Sequence, residues 1–310
     1  MHAFVFWLTY LWIPFAAVCV WVIARRKGWA RQLAVVLFGL SLPLAWARFI
    51  EPQLLFVHYE EIDLSDGQDE TFTLRIALFS DPHIGVFKNA IPLSRLIDRV
   101  NQETVDAVFI AGDFLYHLPF DQIETAMAAV EHAEAPVFAV LGNHDLGFPG
   151  PPYIERLRGP LRRSGVTFVE NRAYEEVLGG HRIVVAGASD YWQRRFTFAF
   201  KANLPEGVPV LLLTHNPDIA LKVPNDFDYD LMLAGHTHGG QIRLPIPGLT
   251  RLVIPTEHPF DTGLHTLVRA GRDKPDRVYV TPGTGMIGLP MRFRRPPRID
   301  ILTLRLPAQG

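Results

Sequence analysis

The chain has 310 residues, 48% of them hydrophobic, and 30 basic against 32 acidic side chains give a formal net charge of −2. That length is ample for a large buried core, and the charges form no long single-sign run, so the basic face that marks a nucleic-acid partner is missing. The one cysteine, Cys19, lies in an apolar N-terminal segment, which excludes an internal disulfide and a thiolate metal site in the body of the protein.

Residues 3–23 carry no charge and are rich in Phe, Trp, Leu and Val. At ~1.5 Å per residue such a helix crosses a hydrocarbon core of ~30 Å, and membrane helices tolerate an internal proline such as Pro14. A basic cluster comes next, Arg25, Arg26, Lys27 and Arg31. The second apolar run, 32–47, is short for a span, and Arg31 and Arg48 at its ends would have to snorkel to lengthen it. Arg25-Arg26, the apolar stretch and Ala45-Trp46-Ala47 also imitate a signal peptide with a twin-arginine start and a small-x-small cleavage site. The long apolar segment ahead of it argues against that alternative. The positive-inside bias holds the basic cluster in the cytoplasm. Two crossings then place the chain after Glu51 outside the cytoplasm; a second run lying in the interface would leave it inside. The expectation is an anchor at 1–50 in the cell (inner) membrane, with helices at 3–23 and 32–47, and an extracytoplasmic catalytic domain at 51–310.

From about Leu54 the pattern is α/β, with short apolar runs alternating with amphipathic stretches such as 93–102 and 122–132. Five apolar runs share one feature. Run 76–79 leads into Ser80-Asp81-Pro82-His83, and 107–111 into Gly112-Asp113. Run 137–141 leads into Gly142-Asn143-His144-Asp145, 210–213 into Thr214-His215-Asn216-Pro217, and 231–234 into Gly235-His236-Thr237-His238. Continuous apolar runs are the mark of buried central strands, and the carboxyl ends of such strands form the functional crevice of an open α/β sheet. Here each end delivers Asp, Asn or His, the nitrogen and oxygen donors that hold divalent cations. Any one of these patterns alone is more often a turn or a capped strand end. Five in series point to a metal site.

These residues resemble the calcineurin-like metallophosphoesterases. The matching motifs are Asp81-x-His83, Gly112-Asp113, Gly142-Asn143-His144-Asp145, Thr214-His215 and Gly235-His236-Thr237-His238. Gly239-Gly240-Gln241 and the segment 285–293 are similar to a bacterial branch with membrane-associated phosphodiesterases, which also looks similar to enzymes that cleave UDP-2,3-diacylglucosamine. The resemblance implies an α/β fold of two packed mixed β-sheets flanked by helices. It also implies two divalent metal ions (Mn, Fe or Zn): Asp81, His83 and His238 on one, Asn143, His215 and His236 on the other, and Asp113 bridging. His144 would stabilise the transition state and protonate the leaving oxygen. The position three after Asp113, where many relatives carry an acid that orients this histidine, is Tyr116. Tyr116 itself, Asp145 or neither would then orient it.

Other segments carry weaker expectations. Arg292, Arg294 and Arg295, with Arg298, are candidates for substrate contacts or for a solvated basic turn. The aromatic segment 191–200 reads either as a lid over acyl chains or as core. The expected activity is hydrolysis of a phosphodiester or pyrophosphate bond, with a lipid-linked phosphoester and the bilayer as partners. The alternatives are a UDP-2,3-diacylglucosamine pyrophosphatase, a nucleotide phosphodiesterase, a protein phosphatase, or a catalytically inactive scaffold on the same fold.

Overall fold

In the computed structural model, which describes residues 2–245, 256–272 and 274–308, the N-terminal apolar residues form a helical hairpin. Its first arm runs from His2 to Arg25 as α1 (His2–Leu8), a 3-10 turn and α2 (Trp12–Arg25). Its second arm runs from Trp29 to Gln53, beginning with α3 (Trp29–Ala45) and continuing through a π-turn at Trp46–Ile50 and a 3-10 turn at Glu51–Gln53. The second arm is therefore longer than the apolar run 32–47, and its 25 residues reach ~37 Å at ~1.5 Å each. The apolar pattern stops at Arg48, whose guanidinium turns into the protein instead of snorkelling. Arg48 Nε donates to Thr9 Oγ1 at 2.7 Å, and its head group lies 4.5 Å from the Phe6 ring and 4.9 Å from Phe49. Elsewhere the hairpin leaves large apolar side chains exposed, among them Phe4, Trp7, Leu11, Leu40 and Leu44. A core helix of a soluble protein would bury them. Both arms are long and apolar enough to cross a membrane.

After the hairpin, the described residues form two six-stranded sheets. The first takes β1 (Phe56–Asp63), β2 (Thr71–Phe79), β4 (Ala107–Ile110), β6 (Val137–Ala139), β7 (Val166–Phe168) and β14 (Arg298–Pro307), in the order β1-β14-β2-β4-β6-β7. The intervening β3 (Ile84–Gly85) and β5 (Leu115–Tyr116) pair separately as a short parallel ribbon. The second sheet contains β8 (Arg172–Leu178), β9 (His181–Gly187), β10 (Val210–Leu213), β11 (Leu231–Ala234), β12 (Gly263–Leu267) and β13 (Asp276–Val280), in the order β12-β13-β11-β10-β9-β8. Each sheet has four parallel strands in a row: β2-β4-β6-β7 runs to the edge of the first sheet, with β14 antiparallel to β2 and β1 parallel to β14, and β13-β11-β10-β9 lies between antiparallel β12 and β8 in the second.

The sheets pack face to face through residues such as Leu74, Ile76 and Leu78, together with Phe109, Phe138, Val185, Leu211 and Leu233. Alternate residues of the first sheet, such as Phe79, Val108 and Ile110, turn outward against α4 (Leu93–Val100), α5 (Ile123–Met127) and α6 (Ile154–Arg163). Alternate residues of the second sheet pack under the 3-10 turns at Ala199–Asn203 and Pro217–Lys222. Burial on both faces explains why the central strands read as unbroken apolar runs. The fold is thus the α/β arrangement of two packed mixed sheets flanked by helices.

Candidate metal centre

Parallel register brings the motif residues to one level. Phe79 pairs with Ile110 and Ile110 with Ala139, so Asp81, Asp113 and Asn143 follow side by side from β2, β4 and β6. Leu213 pairs with Leu233, which sets His215 beside His236 from the second sheet. Gly142 is required here, because a Cβ on it would collide with the Asp113 carboxylate. Asp81, His83, Asp113, His236 and His238 all have positive φ, between 44° and 69°. Left-handed backbone costs an L-residue about 1–3 kcal/mol, and where it persists it clusters at functional sites.

The buried polar atoms converge in two main groups, and a third, overlapping them, joins His144 to His83 and Asp113. In the first, Nε2 of His83 lies 3.1 Å from Nε2 of His238, and the two rings stack with centroids 5.0 Å apart. Asp81 Oδ1 is 3.7 Å from His83 Nε2 and 3.4 Å from His238 Nε2. In the second, His215 Nε2 lies 3.1 Å from Asn143 Oδ1, 3.0 Å from His236 Nδ1 and 3.3 Å from Asp113 Oδ2. The same Asp113 oxygen is 3.5 Å from His83 Nε2 and so touches both groups.

Two of these groups are turned by their outer hydrogen bonds to present an acceptor atom to the site. His215 Nδ1 donates to the carbonyl of Ala111 at 2.7 Å, which leaves Nε2 with a lone pair in the neutral ring. Asn143 donates its amide to the carbonyl of Phe148 at 2.6 Å, which turns its oxygen inward. Asp81 Oδ1 and His236 Nε2 are buried without a hydrogen-bond partner. A buried convergence of lone pairs is unfavourable unless a proton or a cation joins them. Without a cation, burial lowers the His215 imidazole but Asp113 raises it further, to about 10. Burial, reinforced by the charge on His215, holds His236 down to about 3. The donor set of imidazole, carboxylate and amide oxygen fits a hard or borderline divalent ion.

His144 stands beside both groups. Its backbone N–H donates to Asp113 Oδ1 at 2.8 Å, and its ring meets those of His83 and Tyr116 in T-shaped contacts at 5.0 and 5.1 Å. Burial lowers its pKa, with Asp113 opposing. Asp145 does not reach the His144 ring: its carboxylate accepts the backbone N–H groups of Phe114, Leu115 and Gly142, each at 3.1 Å. It braces the two loops that carry Asp113 and Asn143.

The arginine cluster divides. Arg292 is fully buried, and its guanidinium donates to the carbonyls of Gly285, Arg295 and Pro282, with Nη2 also 3.4 Å from His238 Nδ1. Arg295 donates to the Gly239 carbonyl, Arg298 pairs with Asp300, and Arg294 is exposed. The segment after the His pair and the one near the C-terminus meet each other, since the Gln241 amide bonds the backbone of Ile287 and Leu289. The aromatic stretch also divides. Trp192 sits against His236 at 4.6 Å and against the exposed Phe148, while Phe196, Phe198 and Phe200 pack into the core under the second sheet. Two partners have no signal in the sequence, the contact of Trp192 with His236 and that of Tyr116 with His2, because both join residues far apart along the chain.

Buried imidazoles and carboxylates meet at adjoining strand ends of two mixed sheets, and the family and relatives that the chain matches make it a metal-dependent phosphoric ester hydrolase. A family model described as calcineurin-like phosphoesterase matches residues 74–240, and the chain belongs to that family. Among its relatives is a Bacillus subtilis (strain 168) protein named uncharacterized metallophosphoesterase YkuE, 28% identical over 272 residues, which cover 84% of this chain and 89% of that one. Phosphodiesterase YaeI of Escherichia coli (strain K12) is 29% identical over 246 residues, 76% of this chain and 84% of the relative. A Danio rerio protein named transmembrane protein with metallophosphoesterase domain is 30% identical over 254 residues, 75% of this chain and 53% of the relative.

Proposed function

We propose that the protein holds two divalent cations, one by Asp81, His83 and His238 and one by Asn143, His215 and His236, with Asp113 shared, and hydrolyses a phosphodiester or pyrophosphate of a lipid-linked substrate. The observation that carries this is the pair of lone-pair clusters meeting at a single oxygen of Asp113, 3.5 Å from His83 and 3.3 Å from His215. Cations held there supply neutralisation of the phosphoryl oxygens and a lowered pKa for an attacking water. The chain's own part is to fix the donors before substrate arrives. Hydrogen bonds from His215 to Ala111 and from Asn143 to Phe148 lock two of them, and left-handed backbone sets five more. His144 gives a proton to the leaving oxygen. The donor set suits Mn, Fe or Zn.

Saturating Mn²⁺ or Zn²⁺ is expected to load two equivalents per chain and to raise the melting temperature. At 100 times the dissociation constant the gain is ~2.7 kcal/mol per site. Elemental analysis together with a thermal melt before and after chelation checks this. A stoichiometry of one at saturation would remove the two-metal mechanism.

The lipid-linked substrate and the division into an anchor at 1–50 and a catalytic domain at 51–310 draw support from the hairpin. Both His2 and Glu51 touch the body of the protein, through Tyr116 and the backbone N–H of Arg295. The turn at Arg25–Lys27 lies at the other end of both arms. With that basic turn in the cytoplasm, the catalytic domain lies on the outer face of the inner membrane. A reporter fused after Gly310 tests the orientation. Active alkaline phosphatase with dark green fluorescent protein is the expected pattern, and the reverse would put the site in the cytoplasm. A substrate panel of phospholipids, UDP-diacylglucosamine and nucleotides with added Mn²⁺ tests the substrate class. Turnover of nucleotides alone would overturn the lipid assignment.

A further inference from the structure

The first turn of the hairpin reaches His144 through one tyrosine. Tyr116 is the last residue of β5, and its ring contacts His144 at 5.1 Å and His83 at 5.4 Å, both T-shaped. Its hydroxyl accepts the N–H of Gly288 at 3.4 Å, which leaves its own proton to give. Nδ1 of His2 lies 3.2 Å from that oxygen. The His2 ring in turn stacks on His117 at 5.2 Å, and Phe6 from the next turn joins Phe87, Tyr116 and Met286 in one apolar cluster. The contact is thus part of a side-chain network and does not rest on a single bond. Among the described residues no side chain hydrogen-bonds the His144 imidazole, and Asp145 is committed to backbone N–H groups. What confines the His144 ring is the pair of rings at right angles to it, 80° for Tyr116 and 86° for His83.

We infer that His2 is a positioning residue for catalysis: by holding the Tyr116 hydroxyl it fixes the ring wall that orients His144, so the first anchor helix is a working part of the active site. This rests on His144 acting as the acid toward the leaving oxygen. It follows that a chain trimmed of its hairpin keeps its metal ligands and the Tyr116 ring but loses the contact that fixes that ring. The same contact ties the seating of the helix in its bilayer to the rate of the chemical step.

The test uses the full chain in detergent micelles, with methyl p-nitrophenyl phosphate and methyl phenyl phosphate as substrates of good and poor leaving group. His2→Ala and Tyr116→Phe are each expected to lower kcat on the phenyl ester about 5- to 20-fold, as expected for loss of one orienting hydrogen bond. KM should hold and the loss on the nitrophenyl ester should be smaller. The double variant should be no worse than either single one, because both break the same link. His2→Asn, whose amide can occupy the place of Nδ1, should restore most of the rate. Metal content and melting temperature are measured for each variant, and Tyr116→Phe probes the link without altering the helix. His144→Ala is run beside them. If it shows a leaving-group effect and the His2 and Tyr116 variants show none, lose equally on both esters, or add, the positioning role is overturned. If His144→Ala itself shows no leaving-group effect, the acid role fails and the positioning role falls with it.

Discussion

Asp113→Asn is expected to reduce turnover of bis-p-nitrophenyl phosphate by ~10³-fold or more, a larger loss than removal of any other single ligand, since a shared ligand serves both halves of a two-metal site. The reason lies in how both carboxylate oxygens are used. Oδ2 faces His83 and His215 at 3.5 and 3.3 Å, while Oδ1 accepts the N–H of His144 at 2.8 Å. An asparagine has one oxygen for these two tasks. If its amide nitrogen takes the Oδ2 position, N–H groups point where cations should bind. If it takes the Oδ1 position, it opposes the His144 N–H and disturbs the loop that carries Asn143. Either outcome also removes the negative charge that would offset the two proposed cations. The fold should survive, because Asp113 belongs to none of the apolar clusters that hold the sheets together. A thermal melt in chelator, where wild type and variant are both metal-free, checks that. Turnover near the wild-type level would show that Asp113 is not the shared ligand.

His144→Ala should keep its metals and lose ~10²–10⁴ in turnover, the usual range for a general acid or base. The imidazole is buried, close to both groups, and not needed to complete either lone-pair cluster. Its removal therefore takes away a proton donor and leaves the ligands standing. The loss should shrink with a p-nitrophenolate leaving group, which departs without protonation, and grow with an alkoxide. Metal analysis with rates on two leaving groups separates the cases. Depleted metal would make His144 a ligand, and equal losses would make it something other than the acid.

The centre of this protein is legible because buried parallel strands leave an unmistakable trace. Runs such as Val210–Leu213 and Leu231–Ala234 are apolar throughout, being covered on both faces, and the polar residue that ends each run falls at the sheet's carboxyl edge. Periodicity also locates α4 and the helical turns at Phe120–His132. It does not mark α6, where Pro160 sits inside the helix and half of the residues are charged. The second arm of the hairpin reads short for a related reason. Arg48 and Glu51 look like solvent-facing ends of an apolar run, and distant partners, Thr9 and Arg295, help to make them interior. Arg292 illustrates the same limit. A cluster of arginines reads as a charged surface, yet three backbone carbonyls draw this one fully inside. Contacts made across the fold leave no local periodicity to find.

Each lone-pair group takes residues from both sheets. Asp81 and His83 follow β2 of the first sheet, and His238 follows β11 of the second. Asn143 follows β6, while His215 and His236 follow β10 and β11. Bound cations would therefore act as clasps across one rim of the sandwich. At the opposite rim the two sheets are bridged by the surface ion pairs of Asp66 with Lys274 and Arg277, of the kind worth ~0–1 kcal/mol, while the buried pairs of Asp276 with Arg269 and Arg272 stay beside the second sheet. Such a molecule is held together unevenly, fastened where it reacts and merely packed where it does not, so thermal opening would begin at the rim remote from the chemistry.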